Sequence, residues 1–533
     1  MSSKMLMGDM PELMEDILKH LNNEIYSLYS CALVNRHWCK MSIPILWQDT
    51  FSTIKQRRSL FIPIYFSSLG EDEKLVIKEC LKEFEINIEF TKPLFDYARF
   101  LKVLDIYQLA NKVREWIEWM RLKLDNRNLP YLDYRITPLI ILLFKLFVEN
   151  GAILHEFSLF NSELFKFELE IFHSLEQNVQ FCSRLQHLSL DIISDFNIEN
   201  IVKLLKVLAK NTTKISALKL YVCYYHEPKL IHIFLPTLIH FIKSQEQLRK
   251  FILDGGDCPK DFLGIISALE SQKNTLQEVI LRGCIFSAEF EVLNNCKNLE
   301  TLRILHCDTE LLKILDYNIS TLEIYYSLID GPIIVQIFEK VGISLQRLKI
   351  EIGNVTWEES LFLEALKSFC PNIIYLYITN IGLSTQLLEL IGDLQKLQFL
   401  SLRYAYRLSK EAKILSEETK MIRVMQFAKI LPSTLQYLDI ARCTLYCLLD
   451  SFIDILLDHC NAPLKKLLIT SISINNEKNT KALIRYCTRI RTLNYVGIVD
   501  IDLVKYHDLG YDIRNELEKY VILVPYKHIV INC

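Results

Sequence analysis

Along most of the chain one six-residue pattern returns: an aliphatic residue, two variable positions, an aliphatic, one variable position and a third aliphatic. It begins at Leu154, Leu185, Ile215, Leu248, Leu276, Leu299, Ile319, Leu345, Ile373, Leu397, Leu435, Leu464 and Ile490. The second and third aliphatics stand two apart, as Leu348 and Ile350 do, so they share one face of a strand while the residues between them face the other way. After the strands the period lengthens to that of a helix: Ile201, Leu204, Leu205 and Leu208 fall on one stripe, as do Leu361, Leu366 and Phe369. A strand followed by a helix, many times over, is the expected architecture.

The starts are spaced by about 28 residues on average, within the range of roughly 20 to 29 for leucine-rich repeats. The shortest step runs from Leu299 to Ile319 and the longest from Leu397 to Leu435, so the connecting segments differ in length. One such unit cannot cover its own apolar strand face, but stacked neighbours bury a continuous core. Residues 150–500 therefore resemble the leucine-rich-repeat family. The resemblance implies an α/β solenoid, with parallel strands on the concave face and helices on the convex face. In four units the residue three beyond the last aliphatic is cysteine (Cys223, Cys284, Cys307 and Cys443), as in the cysteine-containing repeat subtype, and these read as buried packing thiols.

The first fifty residues carry a different pattern. Pro11 suits a first helical position, Glu12, Glu15 and Asp16 lie toward the positive end of the helix dipole, and Lys19 and His20 toward its negative end. Leu13, Ile17 and Leu21 recur every four residues, with Leu18 beside them. A second apolar stretch, Tyr26 to Val34, leads into Asn35, Arg36, His37, Trp38 and then Pro44, Ile45, Leu46 and Trp47. In order and spacing, Met10-Pro11-Glu12-Leu13, Ile17-Leu18, Leu33-Val34-Asn35-Arg36 with Trp38, and Leu46-Trp47 resemble the F-box, an all-α three-helix domain that binds the adaptor Skp1. The family usually has Leu where Met10 stands, an exchange that keeps an apolar side chain.

By that resemblance Met10, Pro11, Leu13, Ile17, Leu18, Leu21, Val34 and Trp38 are implied for the Skp1-facing surface, with Trp38 and Trp47 also steadying the bundle. The expected organisation is an F-box domain over residues 1–50, a mainly helical linker or cap over 51–150, and the solenoid with its C-terminal cap over 151–533. In the linker, Gly70 to Lys74 reads as a polar break, and Leu101, Leu104, Leu109, Val113, Trp116 and Trp119 as helices.

Composition narrows the function. With 533 residues, 50% of them hydrophobic, the chain has ample material for a large core. A net charge of -3 leaves no electrostatic footprint for nucleic acid or anionic membrane. The most apolar stretch, Pro138 to Val148, is too short for a bilayer crossing and carries Lys145. Asp9, Pro11 and Glu12 interrupt the start of the chain before a secretory segment forms, and Cys533 has no residues after it for a prenylation box. The odd count of 15 cysteines, with no Cys-x-x-Cys pair, points to reduced thiols in a cytoplasmic or nuclear protein. There the sequons at Asn211, Asn318 and Asn354 are chance matches.

Catalytic signatures are missing. Only 14 glycines are present, with no phosphate loop, dinucleotide fingerprint or nucleophile elbow. His306-Cys307 and His459-Cys460 lack a further ligand at metal spacing, and Asp254-Gly255-Gly256-Asp257 reads as a turn after a strand. No enzyme activity, cofactor or metal is expected.

Target choice falls to the variable strand residues: Glu278, Thr301, Arg303, Glu323, Arg347, Lys349, Tyr375, Tyr377, Phe399, Ser401, Tyr437 and Asp439. Among them Tyr375, Tyr377, Phe399 and Tyr437, beside Arg347 and Lys349, form a candidate target-binding patch, since Tyr and Arg dominate binding hot spots. The two resemblances together imply the substrate-recognition subunit of a Skp1, cullin and F-box ubiquitin ligase. The other readings are a repeat scaffold without ligase role and a regulator of small GTPases.

Overall fold

The computed structural model describes residues 11–22, 24–52, 59–122, 135–159, 169–192, 198–222, 228–255, 264–308, 311, 319–326, 331–352, 358–403, 416–440, 452–470, 476–499 and 511–525. Two compact units divide the chain, Met1–Leu276 and Gln277–Cys533.

The first unit opens with three helices, α1 (Pro11–His20), α2 (Ile25–Ala32) and α3 (Arg36–Trp47). The side chain of Asn35 caps α3 by accepting from the Trp38 N–H at 2.9 Å. Gly70 to Lys74, expected as a break, is instead the first turn of the helix Glu71–Lys82. Three acidic residues suit its positive end, and Glu73 Oε2 accepts from the Gly70 N–H at 3.1 Å. The helices Ile106–Leu122 and Thr137–Glu149 follow, as Leu109, Val113 and Trp116 suggest.

The strands of this unit are β1 (Val103–Asp105), β2 (Glu156–Leu159), β3 (His187–Ile192), β4 (Ala217–Val222) and β5 (Lys250–Asp254), each pairing in parallel with the next. The sheet thus begins at residue 103, inside the stretch expected to be a helical linker. Leu101-Lys102-Val103-Leu104-Asp105-Ile106 repeats the aliphatic motif, and all three of its aliphatics are buried.

The second unit continues with β6 (Glu278–Arg282), β7 (Thr301–Leu305), β8 (Thr321–Tyr326), β9 (Arg347–Ile352), β10 (Tyr375–Thr379), β11 (Phe399–Arg403), β12 (Tyr437–Asp439), β13 (Lys466–Thr470), β14 (Tyr495–Val499) and β15 (Ile522–Pro525). These too pair in parallel in chain order. Helices such as Gly331–Val341 and Glu477–Ile490 connect them. The fold is the α/β leucine-rich-repeat solenoid.

Register explains the motif. Leu322, Leu348, Leu376, Leu400, Leu438, Leu467 and Val496 are paired in sequence across β8 to β14 and are at most 1% exposed. Each side chain so buried contributes about 1.5–3 kcal/mol. The last motif sits three residues later than expected. Ile490 ends a helix and is half-exposed, Arg491 after it turns left-handed at φ 55°, and the buried strand aliphatics are Leu493 and Val496. In the helix Glu359–Phe369 the inward residues are Phe362, Leu363 and Leu366, while Leu361 and Phe369 are half-buried.

Backbone hydrogen bonds join the turns in one recurring way: the carbonyl of the residue immediately before a strand accepts two successive N–H groups of the next turn. Lys102 O accepts from His155 and Glu156, Gln186 O from Ser216 and Ala217, Gln346 O from Ile374 and Tyr375, and Gln398 O from Gln436 and Tyr437. Side-chain amides add to this in the first unit. Gln245 Oε1 accepts from Ile215 N at 3.2 Å and its Nε2 donates to the Thr212 and Phe241 carbonyls, while Gln272 Nε2 donates to Ile242 O at 3.1 Å and Gln245 O at 2.7 Å. Both glutamines are buried.

Candidate functional site

The N-terminal bundle has two apolar surfaces. Met14, Leu18, Leu28, Ile45, Leu46 and Trp47 are buried and close its core. Leu13 and Ile17, one helical turn apart, are 46% and 40% exposed. Tyr26, Tyr29, Leu33 and Val34 are exposed at 90%, 59%, 70% and 58%. Exposed hydrophobic side chains in that number form an apolar surface that the closing of the bundle's core does not use.

Of the residues expected to meet an adaptor, Leu13, Ile17 and Val34 are therefore available, and Leu21 and Trp38 are half-buried. Leu18 is not: it is fully buried, because a side chain one residue past Ile17 points about 100° around the helix, into the bundle. Met10 lies outside the described residues, and Pro11 opens α1. Sequence reading passed over Tyr26, Tyr29 and Leu33 as contacts, although they recur at helical spacing. Charge frames the α1 face, with Lys19 Nζ 3.1 Å from Glu15 and 3.3 Å from Asp16.

The bundle is joined firmly to the first strand. Gln48 O accepts from the Lys102 and Val103 N–H groups at 2.8 and 3.0 Å, the same bifurcated contact that links one repeat to the next. Gln48 Nε2 also donates to Asn22 Oδ1 at 2.8 Å. Trp47 packs on Phe61, Tyr65 and Tyr97, with ring centroids 6.5, 5.1 and 4.1 Å away, and Phe51 contacts Tyr65 and Phe147. Thr50 Oγ1 and Tyr65 Oη share a buried 3.0 Å hydrogen bond. Bundle, connecting helices and first repeat thus share one core.

The expected target patch is not open. Tyr375, Tyr377 and Tyr437 are only 4%, 4% and 2% exposed, while Phe399, Arg347 and Lys349 are half-buried. The rings stack across the strands, Tyr375 to Phe399 at 6.1 Å and Phe399 to Tyr437 at 5.9 Å, and Ser401 donates to Asp439 at 2.9 Å out of solvent. Arg347 lies over Tyr375 at 4.8 Å and Lys349 over Tyr377 at 5.3 Å. Pairing in register brings these residues together as expected, but as packed structure.

The neighbouring cations are neutralised. Arg303 pairs with Glu278 at 3.2 Å and Glu323 at 3.1 Å, and Lys349 with Glu323 and with Glu351, the last at 3.2 Å. A phosphorylated target would have to displace carboxylates already in place.

The thiols are suited to packing. Cys284 and Cys307 are buried in successive turns, Cys307 Sγ accepting from the Cys284 N–H at 3.3 Å, whereas Cys223 and Cys443 lie outside the described residues. Burial pushes Cys182 and Cys370 up to about 12 and Cys460 and Cys487 up to about 11, so these sulfurs stay protonated and unreactive near neutrality. Among the described residues no cluster of three potential metal ligands occurs, and no helix is long and apolar enough to cross a membrane.

No protein-family model matches the sequence, and no curated protein matches it significantly. Similar solved structures share little sequence. The yeast Rad7 and Elc1 complex gives a TM-score of 0.37 at 13% identity, covering 68% of this chain and 88% of that one. An internalin (inlF) of Listeria monocytogenes gives 0.28 at 12%, covering 62% and 80%. The leucine-rich-repeat-containing protein LegL7 of Legionella pneumophila gives 0.35 at 13%, covering 64% and 98%. The family of this chain's fold rests on its own repeating strands, their shared register and the aliphatic column they bury.

Proposed function

We propose that this protein is the target-recognition subunit of a ubiquitin ligase, docking through its first three helices on a Skp1-like adaptor and through that on a cullin. It performs no covalent chemistry. The repeats hold a target protein, and proximity to a charged conjugating enzyme raises the effective concentration of the target's lysines. The observation that carries this reading is the double apolar character of the bundle: Leu13, Ile17 and Val34 stay exposed although the core is closed without them. The shared core joining bundle to first repeat supports it, because transfer over a fixed distance needs a stiff connection.

The test is recovery of the purified full chain on immobilised Skp1, comparing it with a variant carrying Leu13→Asp and Ile17→Asp. Both substitutions fall on exposed positions, so folding is retained, and affinity should drop by about a hundredfold or more, at 1.4 kcal/mol per tenfold. Equal recovery of both proteins, or none of either, refutes adaptor docking and leaves a repeat scaffold.

A further inference from the structure

From β9 to β15 the residues that open each strand stand opposite one another: Arg347, Tyr375, Phe399, Tyr437, Lys466, Tyr495 and Ile522. They occupy the face away from the aliphatic column, since the next residues along, Leu467 and Val496, are buried. This row is closed at one end and open at the other. Tyr375 and Tyr437 are buried, Lys466 is half-buried, Tyr495 is 36% exposed and Ile522 55% exposed.

Charge changes along the same face. Arg303 and Lys349 are held by glutamates of their own or adjacent strands. Lys466 and the exposed Lys465 before it have no carboxylate within ion-pair distance among the described residues. Two uncompensated ammonium groups thus adjoin a tyrosine and an isoleucine that are open to water. Cationic and apolar groups side by side complement a segment that carries carboxylates and a large apolar side chain together. Strands lie about 4.8 Å apart and an extended peptide advances about 3.3 Å per residue, so the path from Lys466 to Ile522 is spanned by about three residues.

We propose that Lys465, Lys466, Tyr495 and Ile522 form a docking surface for an acidic, extended peptide segment of a partner protein, with a large apolar residue about three positions from a carboxylate. This goes beyond adaptor docking and shares no residue with it, so failure of one leaves the other standing.

The test uses the folded full chain as bait for a phage-displayed library of random short peptides. Selected peptides should be enriched in Asp and Glu with Leu, Ile, Phe or Tyr nearby. In fluorescence anisotropy, Lys465→Glu with Lys466→Glu should weaken the best selected peptide by about tenfold or more, and Tyr495→Ala by a similar factor. Both variants alter surface positions, and unchanged thermal unfolding establishes that they are folded. A selection without acidic bias, no selection at all, or binding indifferent to both variants overturns the proposal. So does a dimer in sedimentation that Ile522→Asp abolishes, since the surface would then belong to a second copy.

Discussion

Replacing Gln272 by leucine isolates the contribution of the glutamine amides that join turns in the first unit. Leucine keeps most of the volume, so little cavity forms, but Ile242 O and Gln245 O lose donors now at 3.1 and 2.7 Å. Gln272 is 2% exposed, so water does not replace them. A buried acceptor left without a partner costs about 1–3 kcal/mol. Gln245 O is left bare in this way, whereas Ile242 O keeps the Gln245 N–H at 3.2 Å and loses only about 0.5–1.5 kcal/mol; less about 1–2 kcal/mol for the better burial of leucine, the net loss is about 1–2 kcal/mol. Repeat arrays need not unfold in one step, so a single melting temperature would blur this local loss. Hydrogen exchange read by mass spectrometry on peptides spanning 240–276 resolves it, and protection there should fall by about fivefold to thirtyfold. A fall under about threefold, or one spread evenly over the chain, would refute the idea that these amides stitch the turns together.

Gly342→Ala should destabilise the second unit by about 1–3 kcal/mol or more in urea unfolding, because the added carbon would lie 2.4 Å from Phe338 O and 2.6 Å from Phe369 O. Trp47→Ala should cost about 3–5 kcal/mol and raise exchange in the helices around Tyr65 and Phe147, since it empties the core shared by bundle and repeats. Arg489→Leu should loosen the helix Ile453–His459, whose end carbonyls at Leu457, Asp458 and Cys460 it holds at 2.9, 2.6 and 2.7 Å, with the loss read as exchange over 453–460. Stability should also fall with rising alkali. Thiols of Cys182, Cys370, Cys460 and Cys487 ionise near 9 when unfolded but at about 11 to 12 when folded. The folded chain thus holds the extra protons between those limits, and stability is lost across pH 9 to 12 with no effect below. Serine at these positions should flatten that slope.

Strand positions were legible because burial there follows a strict alternation: Leu345, Leu348 and Ile350 could be placed by counting alone, and each is fully buried. The count slipped at the ends for physical reasons. At the last described turn Tyr520, 46% exposed, occupies the place of an aliphatic. At the start, Leu101 and Leu104 obey the rule but sit among helices whose own periodicity is louder. The face opposite the core is harder to read, since a tyrosine that packs against its neighbours and one that waits for a partner look alike in sequence. Tyr375 and Tyr495 occupy equivalent strand positions and differ only in what surrounds them. In the bundle, Ile17 and Leu18 could not be told apart by type, and only the helix phase assigns one outward and the other inward.

The carbonyl of Gln48 receives Lys102 and Val103 as Lys102, His155, Gln186 and Ser216 receive the turns after them in the first unit. Within the first unit the bundle therefore acts as a turn placed ahead of the repeats, and the same fastener serves at each joint from Gln48 to Ser216. A lineage or a protein engineer can excise or duplicate a coil anywhere along the first unit without redesigning the attachment of the leading helices. The length of the array is in this way uncoupled from the device that tethers it.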